Sequence, residues 1–361
     1  MRIGAERLAA NPALVKGERI GLITNPTGVL PDLTPTPLAL LRTGLPVVAL
    51  LGPEHGLRGT AQAGFTEQDT RDARTGLPIL ETYQADPREV LERAGLDTLV
   101  FDIADIGTRF YTFIWTMYDY IQAARELGIG FVVLDRPNPL GGDTAEGPLL
   151  DPAFASSVGK APIPIRHGLT AGELALRFDP GIQVIELEGW SRRMRHADTG
   201  LPWIMPSVNM PTPDTALVYP GTGLLEGTTF SEGRGTTRPF ELIGAPYVDD
   251  RFLPALQALR LPGVRFREVW FTPTFHKHEG LTCRGVQLHV TDALAFRPVL
   301  TGVSILHTVR DLYPRDLDWW GPDRFAQHLW GSDTLLDDDA RERCGEPALP
   351  DGHLLYPSSR R

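Results

Sequence analysis

In the first 135 residues, short uninterrupted apolar runs alternate with stretches of helical spacing, and this constrains the fold more than any other feature of the chain. Arg19–Thr24, Val47–Leu51, Thr98–Phe101 and Gly130–Leu134 read as strands that are apolar at successive positions rather than alternate ones. A strand of that kind needs cover on both faces, as in a parallel sheet packed between helices. Leu33–Arg42, Pro87–Ala94 and Thr116–Leu127 supply helical spacing, and Gly44, Gly95 and Gly128 stand where those helices should stop. The repeated order of strand then helix predicts an α/β fold around a parallel sheet. Ile182–Leu187 reads as one more strand.

The remainder has a different texture. Met205–Arg238 is rich in Pro, Gly and Thr and shows little periodicity, which in a compact domain marks a functional loop. Beyond it, Asp249–Leu259 and Val299–Leu312 read as helices and Val264–Phe271 and Gly285–Val290 as strands, giving a smaller α+β unit. A chain of 361 residues exceeds the usual single-domain length. We therefore place a boundary near Thr215, with one domain over 1–215 and an auxiliary domain over 216–361.

Composition narrows the classes. No run approaches the roughly eighteen apolar residues of a membrane span, so no membrane partner is expected. A formal net charge of -10 argues against a nucleic-acid surface. Met1–Asn11 lacks the apolar core of a secretory signal, and a cytoplasmic location is the expectation. Cys283 and Cys344 have neither a disulfide framework nor zinc spacing around them and read as reduced thiols.

The residues just past each strand are polar. Asn25 follows the first, Glu54-His55-Gly56 with Arg58 the second, Asp102, Asp105, Arg109 and Tyr111 the third, and Asp135, Arg136 and Asn138 the fourth. Open parallel sheets bind ligands outside the carboxyl ends of their strands, so these residues should share one crevice. Glu54 beside His55 suits proton transfer, although a turn or cap carboxylate reads the same way. Arg109 could clamp a substrate carboxylate or pin its own loop through an acidic neighbour. Gly221-Thr222-Gly223 with Gly227 misses the dinucleotide spacing and lies far from the first strand, so no nucleotide cofactor is expected. His276-Lys277-His278-Glu279 lacks a third ligand at metal spacing, and no Gly-x-Ser-x-Gly elbow occurs; no metal site is expected.

Several runs together resemble the NamZ-type exo-β-N-acetylmuramidases. They are Thr24-Asn25-Pro26-Thr27-Gly28, Gly52-Pro53-Glu54-His55-Gly56, Phe101-Asp102-Ile103 through Gly107-Thr108-Arg109-Phe110-Tyr111-Thr112, and Leu134-Asp135-Arg136-Pro137-Asn138-Pro139. Ile165-Arg166-His167-Gly168-Leu169-Thr170, Pro206-Ser207-Val208-Asn209-Met210-Pro211, Tyr219-Pro220-Gly221-Thr222, Glu226-Gly227-Thr228 and Ser231-Glu232-Gly233-Arg234-Gly235-Thr236-Thr237-Arg238-Pro239-Phe240 continue the match in order. The resemblance implies a Rossmann-like N-terminal domain, a C-terminal auxiliary domain and an active site in the cleft between them. It also implies release of N-acetylmuramic acid from the non-reducing end of peptidoglycan fragments, a cell-wall recycling reaction on a small sugar substrate. Asn25, His55, Arg58, Asp102, Tyr111, Asp135, Arg136, Asn138, His167, Asn209 and Thr228 are then candidates for substrate contact.

Glycoside hydrolysis needs one group to protonate the leaving oxygen and another to attack or to activate water. Glu54 is nominated first; Glu232, then Glu226 and Glu146, are candidates for its partner, and the substrate's own acetamide is the remaining alternative. Arg109, Arg166 and Arg234 are nominated to hold the lactyl carboxylate that distinguishes muramic acid from glucosamine. Two rival readings are a non-catalytic muropeptide-binding protein and a metal-dependent hydrolase or deacetylase of amino sugars.

Overall fold

The two-sided burial that the strand sequences require is met in a computed structural model by a seven-stranded sheet. The structure describes residues 1–62, 70–322, 324–345, 347 and 354–357. The first domain contains β1 (Ile20–Thr24), β2 (Val47–Gly52), β3 (Thr70–Arg71), β4 (Pro78–Glu81), β5 (Thr98–Asp102), β6 (Gly130–Leu134), β7 (Glu146–Leu149), β8 (Pro164–Arg166) and β9 (Gln183–Ile185). The large sheet runs β3-β4-β2-β1-β5-β6-β9, while β7 and β8 form a separate antiparallel pair. All its neighbours pair in parallel except β3 with β4. With β3 set aside this is the Rossmann strand order, and the direction of winding switches between β1 and β5.

Successive side chains of a strand face opposite ways, and β6 shows how both faces are filled. Phe131 and Val133 join the core that includes Val90 and Leu91 of helix 87–94 and Phe113, Met117 and Ile121 of helix 113–127. Val132 and Leu134 join the opposite core, with Leu8 of helix 4–10 and Leu40 of helix 36–42. Local chemistry fixes the helix ends. The Asp86 carboxylate accepts from the amides of Arg88 (2.8 Å) and Glu89 (3.2 Å), Pro87 occupies the first turn, and Gly95 closes the helix at φ 58°.

The second domain carries β10 (Leu242–Ala245), β11 (Val264–Phe271) and β12 (Cys283–Val290), antiparallel in the order β10-β12-β11. The stretch expected to be a long loop contains a helix, Pro213–Thr222, which is a correction. Every residue from Thr215 to Thr222 is buried, so the helix has no polar face and leaves no amphipathic period in the sequence. Gly221 is therefore part of a helix crossing and not of a loop. A Cβ there would lie 1.9 Å from the Pro298 carbonyl oxygen, on helix 298–312. Val299, Val303 and Leu306 of that helix share one continuous core with the first domain.

Residues 354–357, assigned above to the second domain, pack on the first. The Tyr356 hydroxyl donates to Asp135 and accepts from the Leu187 amide (2.9 Å), and the Leu355 amide donates to Glu173 (3.0 Å). Among the described residues no helix is long and apolar enough to cross a membrane.

Candidate active site

β2 runs out into Pro53-Glu54-His55-Gly56, a turn that places His55 in the left-handed region at φ 72° and Gly56 at φ 79°. Non-glycine residues seldom adopt that conformation unless their surroundings hold them there. His55 is held: its Nδ1 lies 2.8 Å from the Ala61 carbonyl, and its ring meets Phe113 edge-on at 6.4 Å. Next to it, the Glu54 carboxylate accepts a 2.5 Å hydrogen bond from Thr112 Oγ1, at the start of helix 113–127. The Tyr83 hydroxyl also bonds Glu54; partial burial first, then the Glu54 charge, raise the Tyr83 pKa above its ordinary value.

Glu54 and His55 open onto a cleft of about 590 Å³. Tyr111, Ser207 and Asn209 line it from the first domain, and Tyr219, Glu226, Arg234 and Phe240 from the second. Tyr111 is fixed by a 2.9 Å bond from its hydroxyl to Ser207 and by edge contacts to Phe113 and Tyr219. The buried Asn209 Nδ2 has no hydrogen-bond partner among the described residues. An unmet buried donor of this kind costs about 1–3 kcal/mol, which a bound polar ligand would recover.

The second domain brings a chain of charges to the cleft. Arg234 Nη2 donates to Glu226 (2.8 Å), Arg234 Nε lies 3.3 Å from Glu232, and Lys277 Nζ donates to the other Glu232 oxygen (2.7 Å). Burial by itself would raise the Glu232 pKa, but the Lys277 ammonium, a bond from His276 and the Arg234 charge hold it well below the carboxylate range. Burial also works against the Arg234 charge, and Glu226 and Glu232 overcome it, raising the Arg234 pKa. Two carboxylates and two cations cancel, which makes a buried cluster of this density tolerable. Glu226 is the cleft-facing carboxylate of the cluster; Tyr219 donates to it at 3.2 Å.

The structure separates the remaining candidates. Glu232 is fully buried behind Arg234 and does not line the cleft. Glu146 is also fully buried, accepts from the Leu300 amide (3.0 Å), and is pushed by burial to a pKa of about 7. Arg109 is no clamp for a ligand: its guanidinium donates to the carbonyls of Pro148, Ile163, Leu329 and Trp330, and burial lowers its pKa to about 9. Arg166 is likewise buried away from the cleft, bonding the Leu140 carbonyl at 2.8 Å.

Most of the other strand-end residues do not share this cleft, contrary to the expectation of one crevice, and are taken up by bonds to their neighbours. Asp102 binds Arg136 through two bonds of 2.7 and 3.0 Å. Asp135 collects Thr170, Gly172 and Tyr356, and burial raises its pKa to about 6. Asn138 ties its turn to the Leu169 carbonyl, His167 faces Asp105 at 3.0 Å, and Thr228 caps back onto Leu225. Asn25 closes its own turn through Thr27 at 2.6 Å, and Arg58 is exposed. Of the His276–Glu279 run, His276 and Lys277 serve Glu232, and His278 bonds the Thr229 carbonyl.

Between β1 and β5, where a Rossmann-ordered sheet takes a dinucleotide, the fit is poor. The helix after β1 starts only at Thr36, behind a loop, and a Cβ on Gly28 would lie 2.0 Å from Thr24 Oγ1. No helix N-terminus meets β1 there to receive a pyrophosphate. That region instead holds an apolar pocket of about 560 Å³ bordered by Ile106, Trp203 and Arg136.

Thr112, Tyr83, Ser207, Tyr219 and Phe240 were not among the candidates read from the sequence. Tyr83 carries no local signal, since tertiary contact alone selects it. Thr112, Ser207, Tyr219 and Phe240 lie within the runs that carried the family resemblance, which is the signal that could have found them.

A Rossmann-ordered sheet whose strand-end cleft holds carboxylates in place of a phosphate loop, roofed by a second α+β domain, defines a two-domain α/β hydrolase. Family models for the N-terminal and C-terminal domains of exo-β-N-acetylmuramidase NamZ match residues 20–214 and 217–342. The chain belongs to the exo-β-N-acetylmuramidase NamZ family. It is 50% identical over 328 residues to the peptidoglycan β-N-acetylmuramidase NamZ of Bacillus subtilis (strain 168), covering 88% of this chain and 79% of that protein. Two crystal structures of DUF1343 family proteins from Bacteroides fragilis are similar throughout. One has a TM-score of 0.85 at 35% identity, covering 95% of this chain and 92% of the other. The second has a TM-score of 0.73 at 30% identity, covering 94% and 90%.

Proposed function

We propose that this chain is an exo-acting glycoside hydrolase that releases N-acetylmuramic acid from the non-reducing end of peptidoglycan fragments. The observation that carries the reading is the meeting of Glu54 and Glu226, one from each domain, in a single cleft with Arg234. Glycosidases work with a carboxyl pair flanking the scissile bond. Glu54, bonded by Thr112 and Tyr83, is one member. Glu226, bonded by Tyr219 and Arg234, is the second, displacing Glu232, which is sealed behind the cleft.

Substrate selection follows from the same geometry. Of the three nominated arginines, Arg234 is the one that lines the cleft, where it is available to the lactyl carboxylate of a muramyl group. Tyr111 and Tyr219 line the cleft beside Arg234, and the Asn209 amide supplies a donor to the sugar oxygens.

The test is incubation with a β-linked N-acetylmuramyl–N-acetylglucosamine disaccharide and detection of released N-acetylmuramic acid. Glu54→Gln should lower turnover by about 10²–10⁴-fold, the usual contribution of a positioned acid–base group. Arg234→Ala should erase the preference for a muramyl over a glucosaminyl aryl glycoside. Wild-type protein that binds the disaccharide without cleaving it would refute the hydrolase reading in favour of a binding protein.

A further inference from the structure

Trp319 and Trp320 stand out on the surface of the second domain. They are 51% and 45% exposed, yet the backbone that carries them is pinned on both sides. The Thr229 amide donates to the Asp318 carbonyl (2.8 Å), the Trp320 amide donates to Gly227 (2.9 Å), and Trp319 forms a bridge with Thr228. The Asp318 amide donates to Thr229 Oγ1 at 3.0 Å. The pinning segment, 227–229, follows directly on Glu226, so the two indoles are registered to the cleft carboxylate through three residues of hydrogen-bonded backbone. Trp320 is further set by an edge contact with His276 at 6.1 Å, and His276 in turn reaches Glu232.

Two large apolar faces held rigidly in solvent forgo the favourable burial that most tryptophans obtain, which is a signature of a surface that meets a partner. Here the partner is identified by continuity. Trp319 and Trp320 line a groove of about 700 Å³ together with Phe325, and Phe325 also lines the catalytic cleft. The groove and the cleft thus adjoin one another at Phe325. A pyranose ring presents one face of C–H groups, which stacks on an indole, and a rim of hydroxyls and amides, which stays in water. A half-exposed tryptophan beside a hydrolase cleft suits such a ligand because its own burial is incomplete in the same sense.

We propose that Trp319 and Trp320, with Phe325 as the link, form a saccharide platform that seats the leaving-group side of the substrate. The ligand is a β-linked chain of N-acetylated amino sugars continuing beyond the scissile bond. This inference rests on the reading of the cleft as a muramidase site and adds the binding of the chain that the released sugar leaves behind. It makes the protein a better catalyst on glycan fragments of several sugars than on a muramide with a small aryl leaving group. The advantage comes from remote binding spent at the reacting centre.

The test compares Trp319→Ala, Trp320→Ala and the double variant with wild type on an aryl β-N-acetylmuramide and on a muramyl-terminated tetrasaccharide. In the double variant the ratio of kcat/KM for the tetrasaccharide to that for the aryl muramide should fall about tenfold, the effect of losing two aromatic stacking contacts. Calorimetric affinity for the same tetrasaccharide, measured with and without the tryptophans in the Glu54→Gln background so that the ligand is not cleaved, should fall by a similar factor. Absence of turnover in wild type would refute the muramidase reading while the affinity ratio still decides the platform. An unchanged ratio and unchanged affinity would overturn the proposal. A dimeric wild type that becomes monomeric in the double variant with glycan binding intact would also overturn it, assigning the patch to a second copy of the chain.

Discussion

Glu146→Gln separates a buried structural carboxyl from a catalytic one by its effect on stability. Glu146 is fully buried beside Leu300, and burial, opposed by the Leu300 amide and the Arg166 and Arg297 charges, lifts its pKa from the ordinary 4.5 to about 7. The folded chain thus keeps a proton on this group across a pH range where the unfolded chain has released it. Stability therefore declines as pH rises from about 4.5 to about 7. A shift of this size corresponds to about 3 kcal/mol over the full range, of which about 2–3 kcal/mol falls between pH 5 and pH 8. Glutamine cannot ionise, so the variant lacks this component, whereas Asp135, also raised, contributes equally to both proteins and cancels. The assay is urea denaturation of wild type and Glu146→Gln at intervals from pH 5 to pH 8. The stability difference, variant minus wild type, should move in favour of the variant by about 2–3 kcal/mol as pH rises, whatever constant offset glutamine packing adds. Parallel curves would refute the account of a neutral buried carboxyl, and loss of turnover greater than tenfold would return Glu146 to the catalytic candidates.

Two further outcomes test the second domain. Lys277→Met leaves Glu232 buried with its strongest compensating charge removed and should destabilise the fold by about 3–5 kcal/mol at pH 7. The wild-type Glu232 pKa is depressed, so the ion pair's stabilisation is present above the unfolded value of 4.5 and lost as pH falls below it; the variant's deficit should shrink as pH is lowered below about 4.5 in chemical denaturation. A deficit below 1 kcal/mol, or one independent of pH, would contradict this. Gly302→Ala places a Cβ 2.2 Å from the Gly221 carbonyl oxygen, where only backbone could yield, and should lower stability by at least about 1–3 kcal/mol. Thermal unfolding checks it, and an unchanged midpoint would mean that the two helices can slide apart without loss.

The sequence by itself determined the parts whose physics is local. β1, β2, β5 and β6 are legible because an apolar run without alternation admits few other structures, and helix 87–94 because helical spacing runs straight into Gly95, where it stops. The Glu54 turn was legible for the same reason, since it follows directly on a buried strand. Tertiary structure decided what depends on distant segments. Helix 213–222 escaped notice because burial on all sides erases the amphipathic period that sequence reading uses. Glu226 and Glu232 stand on one short stretch and the sequence favours Glu232 as the partner of Glu54, but Lys277 and Arg234 draw Glu232 inward while Tyr219 keeps Glu226 at the cleft. Arg109 looked like a ligand clamp until carbonyls from as far along the chain as Leu329 and Trp330 took its donors. A side chain's chemistry is written at its own position, but its partners are chosen by how the whole chain closes around it.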